Sequence, residues 1–339
     1  MMRLPAFQYV APRTVAEAAS LLANHGPQAA LVAGGTDLFP NMKRRQVEPQ
    51  VVIGLRGIDE LRGVAGDTRQ GLTVRANQTL TEVANDARLA LAYPAVARAA
   101  SKVSTVHLRN MGTLGGNLCL DTRCNYYDQN YEWREALGFC KKKDGDICWV
   151  ATSSPRCWAV SSSDTAPVMV ALDAKVRLVS ARGERVIPAE ALYRNDGIDY
   201  LTKQPDEILT EVILPPAEGL EMSYWKLRRR DSFDFPILGA AAVVRRDGAI
   251  VREARIVLGA VTSAPVLAAE ASAALVGQPL SAEVIDQAAK TARLGARPLD
   301  NTDLTNSWRR RMVEVYVRRA LREIAGLPIT DYEIQVAAH

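Results

Sequence analysis

The sequence is 339 residues long, which is enough for two or three domains, and 48% of its residues are hydrophobic. That share supports a packed core and excludes a disordered chain. The formal net charge is only +4, with acids and bases interspersed, which excludes a strongly basic nucleic-acid-binding surface. No run approaches 18 apolar residues, and the start lacks the apolar centre of a signal peptide. We therefore expect a cytoplasmic protein that binds neither nucleic acid nor membrane.

The first sixty residues predict a small α/β unit. Thr14 precedes an amphipathic helix that should end before Gly26. Two short apolar runs follow, 29–33 and 51–55, and each has the length of a buried strand. We assign residues 1–60 to this first unit.

A second unit is predicted over residues 61–215. Residues 72–76 alternate like a strand, and Thr79 then caps a helix. Further predicted elements are an Ala-rich helix at 94–103, a short helix at 168–172, a hairpin of 175–179 with 184–187, and a strand at 208–214. The double proline at 215–216 ends this strand and marks the boundary of the unit.

Beyond the double proline, residues 216–330 predict a C-terminal α+β domain. The pair Asp247-Gly248 is a strong hairpin signal between two apolar runs. The predicted strands are 222–228, 237–245 and 250–258, and the predicted helices are 268–276, 282–296 and 306–324.

All the cysteines of the chain lie in one short aromatic stretch. They are Cys119, Cys124, Cys140, Cys148 and Cys157. From Cys124 onwards the separations are 16, 8 and 9 residues, which fit neither a zinc ribbon nor a bacterial ferredoxin. Buried free thiols, disulfides, and a thiolate-bound metal or iron–sulfur cluster all remain open. A cytoplasmic location makes disulfides the weakest of the three alternatives.

Two glycine pairs, Gly34-Gly35 and Gly115-Gly116, are each followed by a small polar residue, Thr36 or Asn117. Glycine has no Cβ, so the backbone amides of such loops can approach a phosphate closely. Neither pair belongs to a Walker motif or to a G-x-G-x-x-G fingerprint. The residues alone leave two alternatives, plain tight turns or a clamp on a pyrophosphate.

Three phrases of the sequence carry a family resemblance. They are Leu-Val-Ala-Gly-Gly-Thr-Asp-Leu at 31–38, Arg-Asn-Met-Gly-Thr-Leu-Gly-Gly-Asn at 109–117 and Ser-Asp-Thr-Ala-Pro at 163–167. In order and spacing the chain resembles the FAD-binding subunits of the molybdenum hydroxylases, the xanthine dehydrogenase and CO dehydrogenase family. The resemblance runs over essentially the whole chain. It implies an α+β fold, with a two-subdomain, vanillyl-alcohol-oxidase-like FAD-binding domain and a C-terminal domain of a three-stranded sheet and helices.

The resemblance also implies which residues hold FAD. The two glycine loops would enclose its pyrophosphate, Asp164 would accept a hydrogen bond from a sugar or ribityl hydroxyl, and Lys226 would face the flavin. The implied residues are Leu31, Val32, Ala33, Gly34, Gly35, Thr36, Asp37, Leu38, Val103, Thr113, Leu114, Gly115, Gly116, Asn117, Asp164 and Lys226. Asp164 as a helix N-cap and Lys226 as a solvated strand charge are the structural alternatives. No residue is identified as a catalytic acid, base or nucleophile.

The chain departs from the family between the second and third phrases. Ordinary members pass almost directly from one to the other, whereas here about forty residues intervene. This insertion, residues 119–160, is similar to that of a branch of the family that reduces an aromatic acyl-CoA thioester. The similarity implies that Cys124, Cys140, Cys148 and Cys157 hold a 4Fe–4S cluster, and that Cys119 is a packed thiol. We expect FAD to stay bound when Cys140 or Cys148 is changed to Ser, because the flavin loops lie outside the insertion.

The resemblance finally implies an oxidoreductase subunit that relays electrons in the anaerobic breakdown of aromatic compounds. The implied partners are a large subunit with molybdopterin, a small subunit with two 2Fe–2S clusters and a ferredoxin-like electron donor, in a dimer of heterotrimers. One alternative is a related hydroxylase that works oxidatively and passes electrons to NAD or a quinone. A second is a zinc-stabilised binding or assembly protein without redox function.

Overall fold

The described part of the protein contains three β-sheets, which follow one another in chain order. The structure is a computed structural model that describes residues 3–329. The sheets have three, five and four strands. No helix within these residues combines the length and the apolar character needed to cross a membrane.

The first sheet is parallel, with its strands in the order β1-β3-β2. The elements of this unit are β1 (Gln8–Val10), α1 (Val15–His25), β2 (Ala29–Val32), α2 (Leu38–Lys43) and β3 (Val51–Gly54). The predicted start of α1 is confirmed, because the Thr14 hydroxyl accepts a hydrogen bond from the N–H of Glu17. Its predicted end is confirmed by Gly26, whose φ is 53°. Helix α2 was not predicted, and it places the first glycine phrase at a strand-to-helix junction.

The second sheet is antiparallel, with its strands in the order β4-β5-β8-β6-β7. Its strands are β4 (Val64–Asp67), β5 (Gly71–Arg75), β6 (Lys175–Ser180), β7 (Gly183–Pro188) and β8 (Ile208–Ile213). The helices between β5 and β6 are α3 (Leu80–Asn85), α4 (Ala87–Ala92), α5 (Pro94–Lys102), α6 (Val106–Arg109), α7 (Leu114–Leu118), α8 (Tyr131–Ala136) and α9 (Ala166–Ala171). The side chains of Thr79 and Glu82 form a reciprocal capping box at the start of α3. Residues of the sheet, α3, α5 and α9 share one hydrophobic core.

The insertion, residues 119–160, is an irregular loop between α7 and α9. All of it is described by the structure, and α8 is its one α-helix. A β-bridge between Arg123 and Val160 closes its base. A second bridge involves Cys140 and Lys143. Such backbone leaves side chains free to converge from several directions.

The third sheet is antiparallel, with its strands in the order β12-β11-β10-β9. Its elements are β9 (Leu220–Leu227), β10 (Leu238–Asp247), β11 (Ile250–Gly259), β12 (Val266–Leu267), α10 (Ala269–Leu275), α11 (Ala282–Gly295) and α12 (Asn306–Ile324). The sheet predicted with three strands gains a fourth, the two-residue β12. In β10, Ala241 and Val243 pack on the second unit, whereas Ala240 and Ala242 pack with the core of the C-terminal helices. Both faces of the sheet are therefore buried, which fixes the C-terminal domain against the rest of the chain.

Candidate functional site

A cavity of about 980 Å³ collects residues from all three units and from the insertion. This volume is at the upper end of the range of about 300–1,000 Å³ for small-molecule sites. Fourteen of the residues predicted to hold FAD line it: Leu31, Val32, Ala33, Gly34, Gly35, Thr36, Asp37, Leu38, Val103, Thr113, Gly115, Gly116, Asn117 and Asp164. Leu114 does not line it, because its side chain is fully buried in the core of the second unit. Lys226 does not line it either, but contacts Asp164, which does.

The first glycine loop offers unpaired backbone donors at the cavity. Gly35 has a φ of 72°, and a Cβ there would lie 2.5 Å from the ring of Phe39. A Cβ on Gly34 would lie 1.9 Å from the carbonyl oxygen of Met111, so neither position has room for a side chain. Within residues 3–329, the amides of Gly35, Thr36 and Asp37 donate to no protein acceptor. They are available to an anionic ligand.

The second glycine loop uses most of its amides inside the protein. The N–H of Leu114 donates to the carbonyl of Gln78, and the N–H of Gly115 donates to that of Ala76, both at 2.9 Å. The N–H of Gly116 donates to the hydroxyl of Thr113 at 3.1 Å. This loop therefore offers a ligand close backbone contact without side chains, and few free N–H donors.

Asn117 connects the second sequence phrase to the third. Its Oδ1 accepts hydrogen bonds from the Ser163 hydroxyl at 2.8 Å, the Thr165 hydroxyl at 2.7 Å and the Thr165 N–H at 3.2 Å. Its Nδ2 donates to no group in the described part of the chain, and Asn117 lines the cavity. Residues of all three sequence phrases thus line one cavity. The Nδ2 group of Asn117 remains available as a hydrogen-bond donor to a ligand.

Asp164 is a fully buried carboxylate held by two partners from β9. The Tyr224 hydroxyl donates to its Oδ1 at 2.8 Å, and the Lys226 ammonium donates to its Oδ2 at 2.8 Å. Burial raises the pKa of Asp164, against the opposing charge of Lys226, and burial likewise lowers the pKa of Lys226. Lys226 is not a solvated charge, because its side chain is only 1% exposed. The pair joins the C-terminal domain to the cavity wall and fixes the direction of the Asp164 carboxylate.

Asp164 is also not a helix cap. Helix α9 begins at Ala166, whose N–H donates to the Ser163 hydroxyl at 3.0 Å. The carboxylate of Asp164 instead crosses to the third sheet. Its remaining lone pairs can accept hydrogen bonds from a ligand in the cavity.

Four cysteines of the insertion form one buried group. Cys124, Cys140, Cys148 and Cys157 are each at most 7% exposed. Burial raises the pKa of the Cys124 thiol to about 12, and the other three sulfurs add to that rise. Burial raises the pKa of Cys157 to about 11, with Cys148 and Cys140 again adding to it. Cys124, Cys140 and Cys157 pack together with Tyr127 and Ala159, and Cys148 lies close enough to affect the pKa of Cys124 and of Cys157.

A backbone donor points at one of these sulfurs, because the N–H of Ala159 donates to the Cys157 sulfur at 3.4 Å. Cys119 lies apart, packed against the core of the second unit, and its charged neighbour is Lys203. All the cysteines are free thiols, so the disulfide alternative does not describe this fold.

Within residues 3–329, no group of three or more His, Cys, Asp or Glu side chains is arranged to hold a single metal ion. The insertion nonetheless offers four buried free thiols as sulfur ligands.

The insertion reaches the cavity, although the flavin loops lie outside it in sequence. Arg123, Tyr127, Lys142 and Lys143 all line the cavity. The guanidinium of Arg123 hydrogen-bonds Asp37 in the first glycine phrase. Burial raises the pKa of Asp37, and the charge of Arg123 opposes that rise. A residue adjacent to Cys124 therefore contacts the loop that offers the free amides.

Arg123 also contacts the C-terminal domain. Its guanidinium lies 3.8 Å from the ring centroid of Phe235 and donates to Asp128 at 3.2 Å. Phe233 and Phe235 both line the cavity, from the loop after β9. Arg123, Lys142, Lys143, Phe233 and Phe235 were not among the site residues predicted from the sequence. The one available indication was that Arg123 and Lys142 lie within two residues of predicted cysteine ligands.

Two protein families match this chain, one in its N-terminal part and one in its C-terminal part. Residues 5–217 match the family of the FAD binding domain in molybdopterin dehydrogenase, and residues 223–324 match the CO dehydrogenase flavoprotein C-terminal domain. The aldehyde oxidoreductase FAD-binding subunit of Escherichia coli is 33% identical over 279 residues, which is 77% of this chain and 83% of the relative. The carbon monoxide dehydrogenase medium chain of Hydrogenophaga pseudoflava is 27% identical over 321 residues, 94% and 96% of the two chains.

The solved structure of the Cu,Mo-CO dehydrogenase in its cyanide-inactivated form contains a similar chain. The two superpose with a TM-score of 0.79 at 26% identity, over 96% of this chain and 99% of that one. The match thus spans the FAD-binding domain and the C-terminal domain together. The chain belongs to the FAD-binding oxidoreductase subunits of the xanthine dehydrogenase and CO dehydrogenase family of molybdenum hydroxylases.

Proposed function

We propose that this chain is the electron-transfer subunit of a molybdenum-dependent 4-hydroxybenzoyl-CoA reductase and carries both FAD and a 4Fe–4S cluster. One observation supports this most strongly: four buried thiols lie in an insertion whose side chains also line the proposed flavin cavity. When bound, the flavin and the cluster carry the electrons, and the protein provides binding, orientation and electrostatics.

For FAD, the residues of the cavity divide into three roles. The amides of Gly35, Thr36 and Asp37 would donate to the pyrophosphate, and the second glycine loop would pack against its other side. The side chains of Asn117 and Asp164 would hydrogen-bond the hydroxyl groups of the cofactor. Lys226 holds Asp164 in place, and the apolar residues of the wall, Val103 among them, exclude water.

For the cluster, Cys124, Cys140, Cys148 and Cys157 would supply the four thiolates that a 4Fe–4S centre takes. Burial disfavours the free thiolates of Cys124 and Cys157, so metal binding rather than titration would deprotonate these two cysteines. The N–H of Ala159 would then stabilise negative charge on the Cys157 sulfur. Cys119 is excluded from the set because it lies with a different group of residues.

The partners follow from the kind of enzyme. Relatives are named as medium chains or FAD-binding subunits, which supports a complex with a molybdopterin-containing large subunit and a small subunit with two 2Fe–2S clusters. We propose that this complex is cytoplasmic. We propose a dimer of such heterotrimers, reduced by a ferredoxin-like donor. The substrate site would lie on the large subunit, which agrees with the lack of an assigned catalytic residue here. We further propose residues 1–60, 61–215 and 216–330 as the domains of the chain.

The reaction consumes two electrons and two protons. The para hydroxyl group of 4-hydroxybenzoyl-CoA leaves as water, and benzoyl-CoA is formed. The test is an anaerobic assay of the assembled complex with reduced ferredoxin or a reduced viologen and 4-hydroxybenzoyl-CoA. We expect one benzoyl-CoA for every two electrons consumed. A complex that leaves this substrate unchanged, but oxidises a substrate with NAD or a quinone as acceptor, would be an oxidative hydroxylase instead.

A further inference from the structure

Lys142 is a buried cation within the insertion. Its side chain is only 6% exposed. The ammonium donates to the Asp121 carboxylate at 2.8 Å, to the Thr122 hydroxyl at 2.7 Å and to the carbonyl of Gly197 at 2.6 Å. An ammonium has three donors, so all of them are used and the position of the charge is fixed.

The three acceptors belong to segments that carry the cysteines. Asp121 and Thr122 directly precede the segment of Cys124. Gly197 donates its own N–H to the carbonyl of Cys157 at 3.0 Å. Lys142 itself lies two residues after Cys140. One ammonium thus joins the segments of three of the four cysteines, which otherwise lack a common sheet or helix.

Lys142 lies close to the thiols and to the cavity. Gly197, whose carbonyl accepts from the ammonium, lies against Cys157, because a Cβ on Gly197 would be 2.7 Å from the Cys157 sulfur. The rings of Tyr127 and Tyr200 lie 4.8 and 5.3 Å from the ammonium, and Lys142 lines the flavin cavity. Four thiolates in a low-dielectric environment need compensating positive charge, and Lys142 provides it on the side of the flavin.

Resting on the function proposed above, we propose that Lys142 is a positioning residue that holds the cysteine segments together and supplies the counter-charge that sets the reduction potential of the 4Fe–4S cluster. Reduction adds an electron to an already negative group. A fixed cation nearby therefore makes reduction easier, and the paired carboxylate of Asp121 makes it harder.

The test is a redox titration of the anaerobically purified complex, followed by the electron paramagnetic resonance of the reduced cluster. In Lys142→Met we expect about a tenfold loss in the equilibrium constant for reduction, which for a one-electron couple is a fall of about 59 mV. In Asp121→Asn, which removes a negative charge at almost constant shape, we expect a shift in the opposite direction. Lys141→Met is the matched control, because the Lys141 side chain makes no ion pair or hydrogen bond within residues 3–329.

The opposite signs separate a charge effect from a general loss of structure, which would not raise the potential in one variant and lower it in the other. If Lys142→Met loses its iron, Lys142→Arg keeps the charge and should retain the cluster at nearly the wild-type potential. Equal potentials and full iron content in wild type, Lys142→Met and Asp121→Asn would overturn the inference. Wild-type protein without this cluster would instead count against the proposed function.

Discussion

Gly35 shows at the residue scale how a single position can decide cofactor binding. Its φ of 72° disfavours any side chain, and a Cβ would lie 2.5 Å from the Phe39 ring. We expect Gly35→Val to move the loop that offers free amides, and to lose FAD while the C-terminal domain stays folded. Flavin released per mole of protein measures this. Gly26→Ala is the control, because Gly26 has a φ of 53° but no neighbour within 4 Å of a Cβ; flavin retained in both variants would make the loop a plain turn.

The cysteines give a second prediction at this scale. Cys140→Ser and Cys148→Ser each remove one thiol of the buried group, and we expect both variants to lose the iron and the broad visible absorption of the cluster. Cys119→Ser should keep its iron, because Cys119 packs with another core and next to Lys203. Iron analysis of the anaerobically purified proteins gives the comparison. Loss of iron in Cys119→Ser with full iron in Cys124→Ser would mean that the set of four is wrong.

Individual residues also show what the sequence could and could not predict. Cysteines and glycine pairs were identified because their chemistry is unusual at any position. Arg123 was not, because its role depends on Asp37, which is 86 residues away, and on Phe235 in another domain. The position of Lys142 likewise depends on a distant residue, because its ammonium donates to the carbonyl of Gly197, 55 residues away. Contacts between ordinary charged residues are set by tertiary folding and leave no local pattern.

At the scale of elements, the insertion is the part that links the two proposed cofactor sites. Asp37 is a partly buried carboxylate whose guanidinium partner is Arg123. We expect Arg123→Met to leave this carboxylate without compensating charge and to weaken FAD binding about tenfold, or ~1.4 kcal/mol. Flavin titration of the stripped complex measures the affinity. The control is Arg156→Met, because Arg156 stacks 3.7 Å from the Trp158 ring and does not line the cavity; equal affinities in the two variants would contradict the link.

The secondary structure was predictable where the pattern is long. Helix α12 has the predicted bounds, Asn306–Ile324, because nineteen residues carry a clear apolar period and Thr305 caps the first turn. The hairpin of β6 and β7 is also confirmed. The short helices α2, α7 and α8, with five or six residues each, were missed. Elements of that length carry less than two turns of periodic pattern, and tertiary contacts decide their conformation.

For the whole molecule, Glu323 on α12 connects the C-terminal domain to the FAD-binding domain. Its carboxylate accepts hydrogen bonds from the Arg98 guanidinium at 2.6 and 2.7 Å, the Ser223 hydroxyl at 2.6 Å and the Trp225 N–H at 2.8 Å. Burial alone would raise the pKa of Glu323, but these donors outweigh it and lower the pKa. The interaction therefore stabilises the fold above the unfolded pKa of about 4.3, and this contribution is lost as the pH falls through the folded value.

We expect Glu323→Gln to lower the free energy of unfolding by about 1–3 kcal/mol at pH 7, because hydrogen bonds to a charged group are replaced by weaker ones. The difference between wild type and variant should shrink on acidification below pH ~4. Urea unfolding at the two pH values, followed by tryptophan fluorescence, measures it. A difference that is the same at neutral and acidic pH would show that the charge of Glu323 is not involved.

The arrangement of the whole molecule was the part least accessible from the sequence. The three phrases predicted that a nucleotide site exists, but the cavity also needs Phe235 from the third unit and Arg123 from the insertion. Likewise, strand β10 shows no alternation of burial, because helices cover one face and the second unit covers the other. Which faces meet depends on domain packing, which no local periodicity encodes.

The central claim is that this chain carries both FAD and an additional iron–sulfur cluster. The most direct measurement is flavin and metal analysis of the complex purified without oxygen. We predict one FAD and about eight irons per heterotrimer, four in this chain and four in the two 2Fe–2S clusters of the small subunit. About four irons per heterotrimer, or zinc in place of the missing iron, would contradict the claim.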